Sequence, residues 1–282
     1  MRYISIIQSF YPSLSKGEKK IADYVIAEKD QIIYQTLQEI SKSVGVGEAT
    51  IVRFCHKIGF EGFHDFKLTV AKEVPTSTTD EGVHYVDYIT MNLQNAISNT
   101  KQILEKEKIE KAVDLICSAD RVFIYGIGTS GNASLDMQSR LLRYGKMANV
   151  VTDSHFQAMT SSVLGEKDLV IAFSLSGYTQ DIVESLSLAK NNGAKVVTIT
   201  NHTLSPAAEL ADIVILSAGK ESPMDGGSLS GRVSQLYIID LLCTGYAMRD
   251  LERAYTMRER SANSVVKKSL EYKKRNSGGT NG

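Results

Sequence analysis

The chain has 282 residues, which predicts about two domains, and its 43% hydrophobic and 23% charged residues are typical of a soluble globular protein. Lys+Arg and Asp+Glu both number 32, so the formal net charge is zero. That balance argues against a polybasic nucleic-acid coat or a membrane-surface protein, but it leaves room for DNA binding through one small face.

Three cysteines, an odd number at wide spacing, argue against a disulfide framework and against a zinc site. The remaining sequence shows no clustered metal ligands, so we expect no metal and no cofactor. The apolar runs are too short for a signal-peptide core or a membrane-spanning helix. These features predict a cytoplasmic protein.

The sequence divides into four parts. Residues 1–75 are helical by pattern, 76–120 form a linker with connecting helices, 121–272 form an α/β domain, and 273–282 are a disordered tail. The α/β domain alternates helical stretches with short apolar or β-branched runs, which predicts a parallel sheet between two helical layers. The strands are expected at 121–125, 148–152, 168–174, 194–200 and 212–216.

The segment 37–58 has the pattern of a helix-turn-helix. A helix over 37–44 ends at Gly45, which can take the positive φ of a sharp turn, and a second helix follows over 48–58. The second helix would enter the DNA major groove and turn six side chains outward: Glu48, Ala49, Thr50, Arg53, His56 and Lys57. A helical hairpin inside an oligomerisation domain is the alternative, and ten basic against nine acidic groups in residues 1–75 weaken the DNA reading.

Two hydroxyl-rich glycine loops follow predicted strands, and a helix follows each loop. The first loop is residues 126–132, and the second loop is residues 174–179. Glycines let an anion approach the backbone, and helix N-terminal amides and hydroxyls can bind its oxygens. With strand order 2-1-3-4-5 both loops would flank the switch point of the sheet. The candidate binding residues are Gly128, Thr129, Ser130, Ser174, Ser176, Gly177 and Thr179.

Other interpretations of these loops remain open. They could be tight turns with capping hydroxyls. Gly126, Gly128 and Gly131 also match the dinucleotide fingerprint, with Asp153 as the ribose-binding acid, although that reading leaves the second loop without a role. His155 and Glu184 are candidate acid–base groups.

Nearly the whole chain resembles the RpiR-type transcriptional regulators, which join an N-terminal helix-turn-helix to a SIS domain that binds phosphosugars. The matching segments are 14–22, 40–41, 45–46, 49–54, 59–67, 128–133, 174–179 and 232–240. The chain departs from the family at Gly47, where the family usually has Ser before the recognition helix.

The resemblance implies that the serines and Thr179 of the two loops bind the phosphate of a sugar phosphate, while Thr50 and Arg53 face DNA. It implies a homodimer or homotetramer that binds double-stranded operator DNA and acts as a regulator rather than an enzyme. A phosphosugar aldose–ketose isomerase with an appended helical domain is the alternative. Asp153, His155 and the loop 223–232 are possible walls that select the sugar.

Overall fold

The computed structural model describes residues 2–28, 31–73, 84–219 and 229–266, which form an N-terminal helical unit and an α/β unit. The helical unit contains α1 (Arg2–Phe10), α2 (Lys16–Ala27), α3 (Leu37–Val44), α4 (Glu48–Lys57) and α5 (Phe63–Glu73), with single 3-10 turns at Tyr11–Ser13 and Ile32–Tyr34. The α/β unit contains α6 (Tyr85–Ile103), α7 (Lys106–Ser118), β1 (Arg121–Gly126), α8 (Thr129–Arg143), β2 (Ala148–Val151), α9 (Ser154–Ser161), β3 (Asp168–Phe173), α10 (Gln180–Asn191), β4 (Lys195–Thr200), α11 (Pro206–Glu209), β5 (Ile213–Leu216), α12 (Leu229–Arg249) and α13 (Leu251–Val266).

Capping boxes start two helices of the helical unit. Ser15 and Glu18 cap α2 reciprocally, and Thr36 and Glu39 do the same for α3, so amides that a helix start leaves unpaired are satisfied. The buried side chains of α1 to α5 form one core around Phe54 and Phe66. This unit is therefore a small all-α domain with its own hydrophobic centre.

The five strands form one parallel sheet in the order β2-β1-β3-β4-β5, which is the order assumed in placing the two loops at the switch point. Each observed strand end lies within one residue of its predicted position. The central strand β3 is buried along its whole length, as expected for a sheet covered on both faces. The predicted fold class, a helix-turn-helix domain followed by a three-layer α/β domain, is confirmed.

Two cores lie on opposite faces of the sheet. On one face α7, α8 and α12 pack against inward side chains such as Ile124 and Ile171. On the other face α10 and α11 pack against the alternate residues, including Tyr125 and Val170. Neighbouring residues of β1 and β3 thus point to different cores, which is the period-2 alternation of a buried strand.

An ion pair fixes the amino ends of the two central strands. Arg121 donates from Nε and from a terminal nitrogen to the Asp168 carboxylate at 2.7 and 2.6 Å, and the two residues are direct partners across β1 and β3. The hydrogen bonds from Arg121 lower the pKa of Asp168 against the opposing effect of burial. Because the strands are held in register here, the loops at their carboxyl ends are held side by side.

Helices α6 and α7 lie in the segment 76–120 that the sequence analysis treated as connecting. They pack on the α/β unit: Val113 and Ile116 of α7 enter its core, and the Thr100 hydroxyl of α6 accepts a hydrogen bond of 3.1 Å from the Ala218 amide. The apolar face of α7 explains this placement, since it covers one edge of the sheet. We propose that the α/β domain begins with α6.

Several predicted segments fall outside the described residues: part of the linker at 74–83, most of the loop 223–232, the end of the last helix and the tail 273–282. Within the ranges given above, no helix has both the length and the apolar character that crossing a membrane requires.

Candidate functional site

The two glycine loops leave adjacent strands. Gly126 at the end of β1 pairs with Phe173 at the end of β3, so the first loop and the second loop begin beside each other at the carboxyl edge of the sheet. This edge, between the two strands where the order reverses, is where open α/β sheets bind ligands. The structure therefore brings the predicted loops together.

The first loop combines a special backbone conformation at Gly128 with close packing at Gly126. Gly128 has φ of +60° and ψ of −128°, a backbone conformation that side-chain-bearing residues avoid. A Cβ on Gly126 would lie 2.5 Å from the Ser130 carbonyl oxygen and 2.6 Å from Ser134 Oγ. The Ser130 hydroxyl, which is buried, accepts a hydrogen bond of 3.2 Å from Gln235 Nε2 of α12. Helix α8 then begins at Thr129 without a side-chain cap.

The second loop contains an unsatisfied hydroxyl. Ser174 is 4% exposed, and its Oγ has no hydrogen-bond partner within the described part of the chain. Ser176 Oγ accepts a 3.3 Å hydrogen bond from the Tyr178 amide. Gly177, with φ of +70°, packs directly on Ser205. Helix α10 begins after Thr179, whose side chain does not cap it.

Buried hydroxyls and uncapped helix starts together favour an anion. A buried hydroxyl without a partner destabilises the fold by about 1–3 kcal/mol, and a ligand oxygen that accepted from Ser174 would remove that cost. The N-termini of α8 and α10 add unpaired amides and the positive ends of two helix dipoles. The arrangement can bind a phosphate group without a metal ion taking part.

A cavity of about 250 Å³ lies beside the first loop. Its lining residues come from α8 and α12: Thr129, Asn132, Ala133, Asp136, Arg232, Gln235 and Leu236. The hydroxyls of the second loop do not line it. Sequence reasoning included Asn132 in the first loop and Arg232 in the loop 223–232 proposed to select the sugar, but it did not assign Gln235 to a site. The spacing of three between Arg232 and Gln235 puts both on one face of a helix.

The three acidic and basic candidates near the loops have ordinary structural roles. Asp153 Oδ1 accepts a 3.0 Å hydrogen bond from the Phe156 amide and caps α9. Glu184 is exposed and accepts a 2.8 Å hydrogen bond from Gln180 Nε2. His155 is exposed in the first turn of α9. These positions support neither a ribose-binding acid nor an acid–base pair enclosed with a substrate.

The helix-turn-helix has the predicted geometry. Gly45 has φ of +69° and ψ of +43°, the left-handed conformation that ends α3, and Ser41 Oγ donates to the Val46 carbonyl oxygen at 2.6 Å to close the turn. In α4 the buried residues are Ile51, Phe54 and Cys55. The first turn of α4 has no side-chain cap because Gly47 precedes it.

The six DNA-facing candidates differ in their surroundings. Glu48, Ala49, Arg53, His56 and Lys57 are exposed, and Thr50 is half-buried with its methyl group near Gly17 of α2. Arg53 donates a 3.3 Å hydrogen bond to Thr50 Oγ1. Lys57 Nζ donates to the Ser13 carbonyl oxygen at 2.7 Å and to Glu18 at 2.9 Å. Lys57 is thus tied to its own domain, while Arg53 remains at the outer surface.

Comparisons with known proteins agree with this architecture. Residues 1–77 match the model of the helix-turn-helix domain of the rpiR family, and residues 115–245 match the model of the SIS domain. An HTH-type transcriptional regulator of Haemophilus influenzae is 32% identical over 278 residues, covering 94% of this chain and 96% of the relative. The HTH-type transcriptional regulator HexR of Escherichia coli is 28% identical, covering 88% of this chain and 89% of HexR.

One solved structure has a similar fold over almost the full length. The Vibrio vulnificus NanR protein complexed with ManNAc-6P superposes with a TM-score of 0.86 at 24% identity, covering 95% of this chain and 99% of NanR. The helix-turn-helix match precedes the SIS match along the chain, just as the helical unit precedes the α/β unit in the structure. The chain belongs to the rpiR family of helix-turn-helix transcriptional regulators that carry a SIS domain.

Proposed function

We propose that this chain regulates transcription by binding operator DNA through α3 and α4 and a sugar phosphate at the two glycine loops. The observation that carries the ligand site is the buried Ser174 hydroxyl, which lacks a partner among the described residues and lies in a loop that leads into an uncapped helix. Its position beside the first loop offers a phosphate two helix N-termini at once.

The chemical class of the ligand follows from the surroundings of the loops. Hydroxyls and amides bind phosphate oxygens, and the neighbouring cavity offers Asn132, Asp136 and Arg232 to the hydroxyls of a sugar. The complex of NanR with ManNAc-6P supports a sugar phosphate as the ligand. We therefore propose that Gly128, Thr129, Ser130, Ser174, Ser176, Gly177 and Thr179 surround the phosphate.

The DNA contacts are proposed for the exposed side of α4. Arg53 is placed to reach a base edge, and Ala49, Thr50 and His56 share its side of the helix, while Glu48 is exposed in the first turn. Lys57 is proposed as a weaker contributor because it already pairs with Glu18. Residues 1–75 carry ten basic and nine acidic groups, so we propose that two helix-turn-helix copies bind a palindromic operator together to reach sufficient affinity.

Exposed apolar side chains support a homodimer or homotetramer. Phe156 and Met159 of α9 are 62% and 64% exposed, and Tyr255 of α13 is 70% exposed. Large exposed apolar residues of this kind commonly lie in contacts between subunits. The proposed oligomer would present paired helix-turn-helix units.

A phosphosugar isomerase would need a general base next to the bound sugar. Glu184 and His155, the two candidates from the sequence, are both exposed, and Glu184 is paired with Gln180. The relatives from Haemophilus influenzae and Escherichia coli, which align with this chain over most of their length, are named as transcriptional regulators. We therefore expect no interconversion when aldose and ketose phosphates are incubated with the protein and followed by NMR.

DNA-binding assays test the proposal directly. A duplex selected by the full-length protein from a random pool should bind with higher affinity than unselected DNA, and a mixture of hexose 6-phosphates should change that affinity. Ser176→Ala should remove the response to the sugar phosphates and preserve binding of the selected duplex. Equal responses of the wild type and Ser176→Ala would contradict the assigned ligand site.

Arg53→Ala tests the DNA face. Loss of a base contact should weaken binding of the selected duplex by about 1–3 kcal/mol and change the affinity for random DNA much less. Arg260→Ala on α13 is the matched control, because it removes the same charge from an exposed helix outside the helix-turn-helix. Equal losses on both DNAs would show that Arg53 contacts only phosphate.

A further inference from the structure

Two polar contacts join the helix-turn-helix domain to the α/β domain. The Tyr178 hydroxyl of the second loop donates a 3.3 Å hydrogen bond to Gln38 Oε1 of α3. His202, just after β4, places Nδ1 3.0 Å from Glu39 Oε1 of the same helix. Because a carboxylate only accepts, Nδ1 carries the proton in this contact. We name the Tyr178–Gln38 and His202–Glu39 contacts the interdomain latch.

Both contacts are linked to the second loop: Tyr178 belongs to it, and His202 is joined to it by hydrogen bonds. The Tyr178 amide donates to Ser176 Oγ, one of the proposed phosphate-binding hydroxyls. The His202 amide donates to Thr200 Oγ1 at 3.3 Å, and the Thr200 hydroxyl donates to the Leu175 carbonyl oxygen at 3.1 Å. A ligand that moves the segment 174–179 therefore acts on both contacts through bonded or hydrogen-bonded neighbours.

Glu39 uses its two oxygens for different purposes. Oε2 accepts the Thr36 amide at 2.7 Å in the capping box of α3, and Oε1 faces His202. Partial burial opposes ionisation of Glu39, but the hydrogen bonds from His202 and Thr36 outweigh it and lower the pKa to about 2. The latch thus includes a carboxylate that is charged under physiological conditions and fixed in orientation by its own helix.

The latch covers the part of the helix-turn-helix that DNA would approach. In this motif the first helix crosses the DNA backbone and the second helix starts at the base edges. Gln38 and Glu39 lie in the first turn of α3 and contact the α/β domain. Partial burial raises the pKa of Tyr178, a hydrogen bond with Thr36 lowers it, and the charge of Glu48, at the start of α4, raises it again.

We propose that the interdomain latch competes with DNA for the first turn of α3, and that it is the route by which a sugar phosphate at the second loop changes DNA binding. This inference rests on the proposed function. A ligand shifts such an equilibrium only through unequal affinity for the two arrangements, and the coupling is reciprocal. Removing the latch should therefore uncouple the two sites while leaving each able to bind.

The test uses the full chain with Tyr178→Phe, His202→Ala and the double variant. Tyr85→Phe is the matched control, since it removes the same hydroxyl from an exposed position at the start of α6. Hydrogen exchange of residues 36–44 is the first measurement, because both substitutions lie in the other domain and can reach α3 only through the contact. Faster exchange in the latch variants, with Tyr85→Phe unchanged, is the expected result.

The second measurement is affinity for the selected duplex with and without the mixture of hexose 6-phosphates. Without ligand, the latch variants should bind the duplex about three- to tenfold more tightly. Thermal stabilisation by the mixture should persist, and the ratio of the two DNA affinities should fall to about one. The two single substitutions should be non-additive if the contacts act together.

The outcomes separate the inference from the function on which it rests. If the wild type neither binds a selected duplex nor responds to the sugar phosphates, the proposed function fails, and hydrogen exchange alone then decides whether the latch forms. Unchanged exchange in both variants would overturn the latch. If the double variant responds to the sugar phosphates as strongly as the wild type does, the proposed role of the latch in coupling is overturned.

Discussion

The two glycine loops look alike in sequence, but their buried serine hydroxyls differ in hydrogen bonding. In the first loop the Ser130 hydroxyl is already hydrogen-bonded to Gln235 of α12. In the second loop the Ser174 hydroxyl is also buried and has no partner among the described residues, and the Tyr178 hydroxyl donates to Gln38 of the other domain. The buried serine of the first loop is thus paired within its own domain. In the second loop the buried serine hydroxyl is available to a ligand, and Tyr178 contacts the helix-turn-helix domain.

This difference assigns separate tasks to the loops. A polar group that is already paired contributes a fixed surface, because moving it would break a buried hydrogen bond. An unpaired group gains a partner only when a ligand arrives, so its environment changes on binding. We infer that the first loop positions the sugar phosphate and the second loop transmits its presence.

The largest expected effect comes from one positive-φ glycine in each loop, Gly128 in the first and Gly177 in the second. A Cβ on Gly177 would overlap Ser205, in addition to the strain of φ at +70°, whereas a Cβ on Gly128 meets nothing within 4 Å. Gly177→Ala should lower the free energy of unfolding by about 3–5 kcal/mol and Gly128→Ala by about 1–3 kcal/mol. Urea unfolding monitored by circular dichroism measures both. Equal losses would show that the contact between position 177 and Ser205 adds nothing to the strain of the positive φ.

The next effect separates the two buried serines. Ser130→Ala leaves Gln235 Nε2 without its partner and should destabilise the protein by about 1–3 kcal/mol. Ser174→Ala removes a hydroxyl that has no partner within the described residues, so stability should stay the same or rise by up to about 1 kcal/mol. Sugar-phosphate binding should nevertheless weaken in Ser174→Ala.

Thermal melts with and without ligand check this pair of variants. A large loss of stability in Ser174→Ala without ligand would mean that the hydroxyl is satisfied in the free protein. The comparison between the loops would then lose its basis.

The smallest effect concerns the negative charge of Glu39 in α3, which faces His202 of the α/β domain. Glu39→Gln keeps a side chain able to complete the capping box, but it removes the negative charge facing His202. Because folding lowers the pKa of Glu39 from 4.5 to about 2, its stabilising contribution is complete above pH 4.5 and decreases as the pH falls toward 2.

Urea unfolding of the wild type and of Glu39→Gln at several pH values measures this contribution. The difference between them should be constant from pH 5 to 6 and smaller at pH 3.5. Since Glu39 is about half exposed, solvent screening keeps the difference small. A difference that grows as the pH falls would have the wrong sign for a carboxylate with a lowered pKa.

The fold could be predicted from sequence because its signals are local. Short apolar or β-branched runs such as 168–174 located the strands, and Gly45 located the turn of the helix-turn-helix. The placement of α6 and α7 could not be predicted in this way. Their apolar residues have helical spacing, but that spacing does not say which domain the apolar face covers.

The site could be predicted only where its residues are close in sequence. Both loops are continuous segments, so glycine and hydroxyl spacing was sufficient to identify them. Gln235 is 105 positions from Ser130, and Glu39 is 163 positions from His202. Pairs at such separations meet only through the topology of the fold. That the Ser174 hydroxyl lacks a partner among the described residues was likewise not evident until its neighbours were known.

A thermal-shift panel tests the central claim most directly. The panel contains phosphorylated sugars, their unphosphorylated parents and NAD, measured with the wild type and with Ser176→Ala. A ligand at about 100 times its dissociation constant adds about 2.7 kcal/mol to stability, which gives a clear shift. The account predicts stabilisation of the wild type by one or a few sugar phosphates and its loss in Ser176→Ala. Stabilisation by NAD alone, or equal shifts in both proteins, would contradict it.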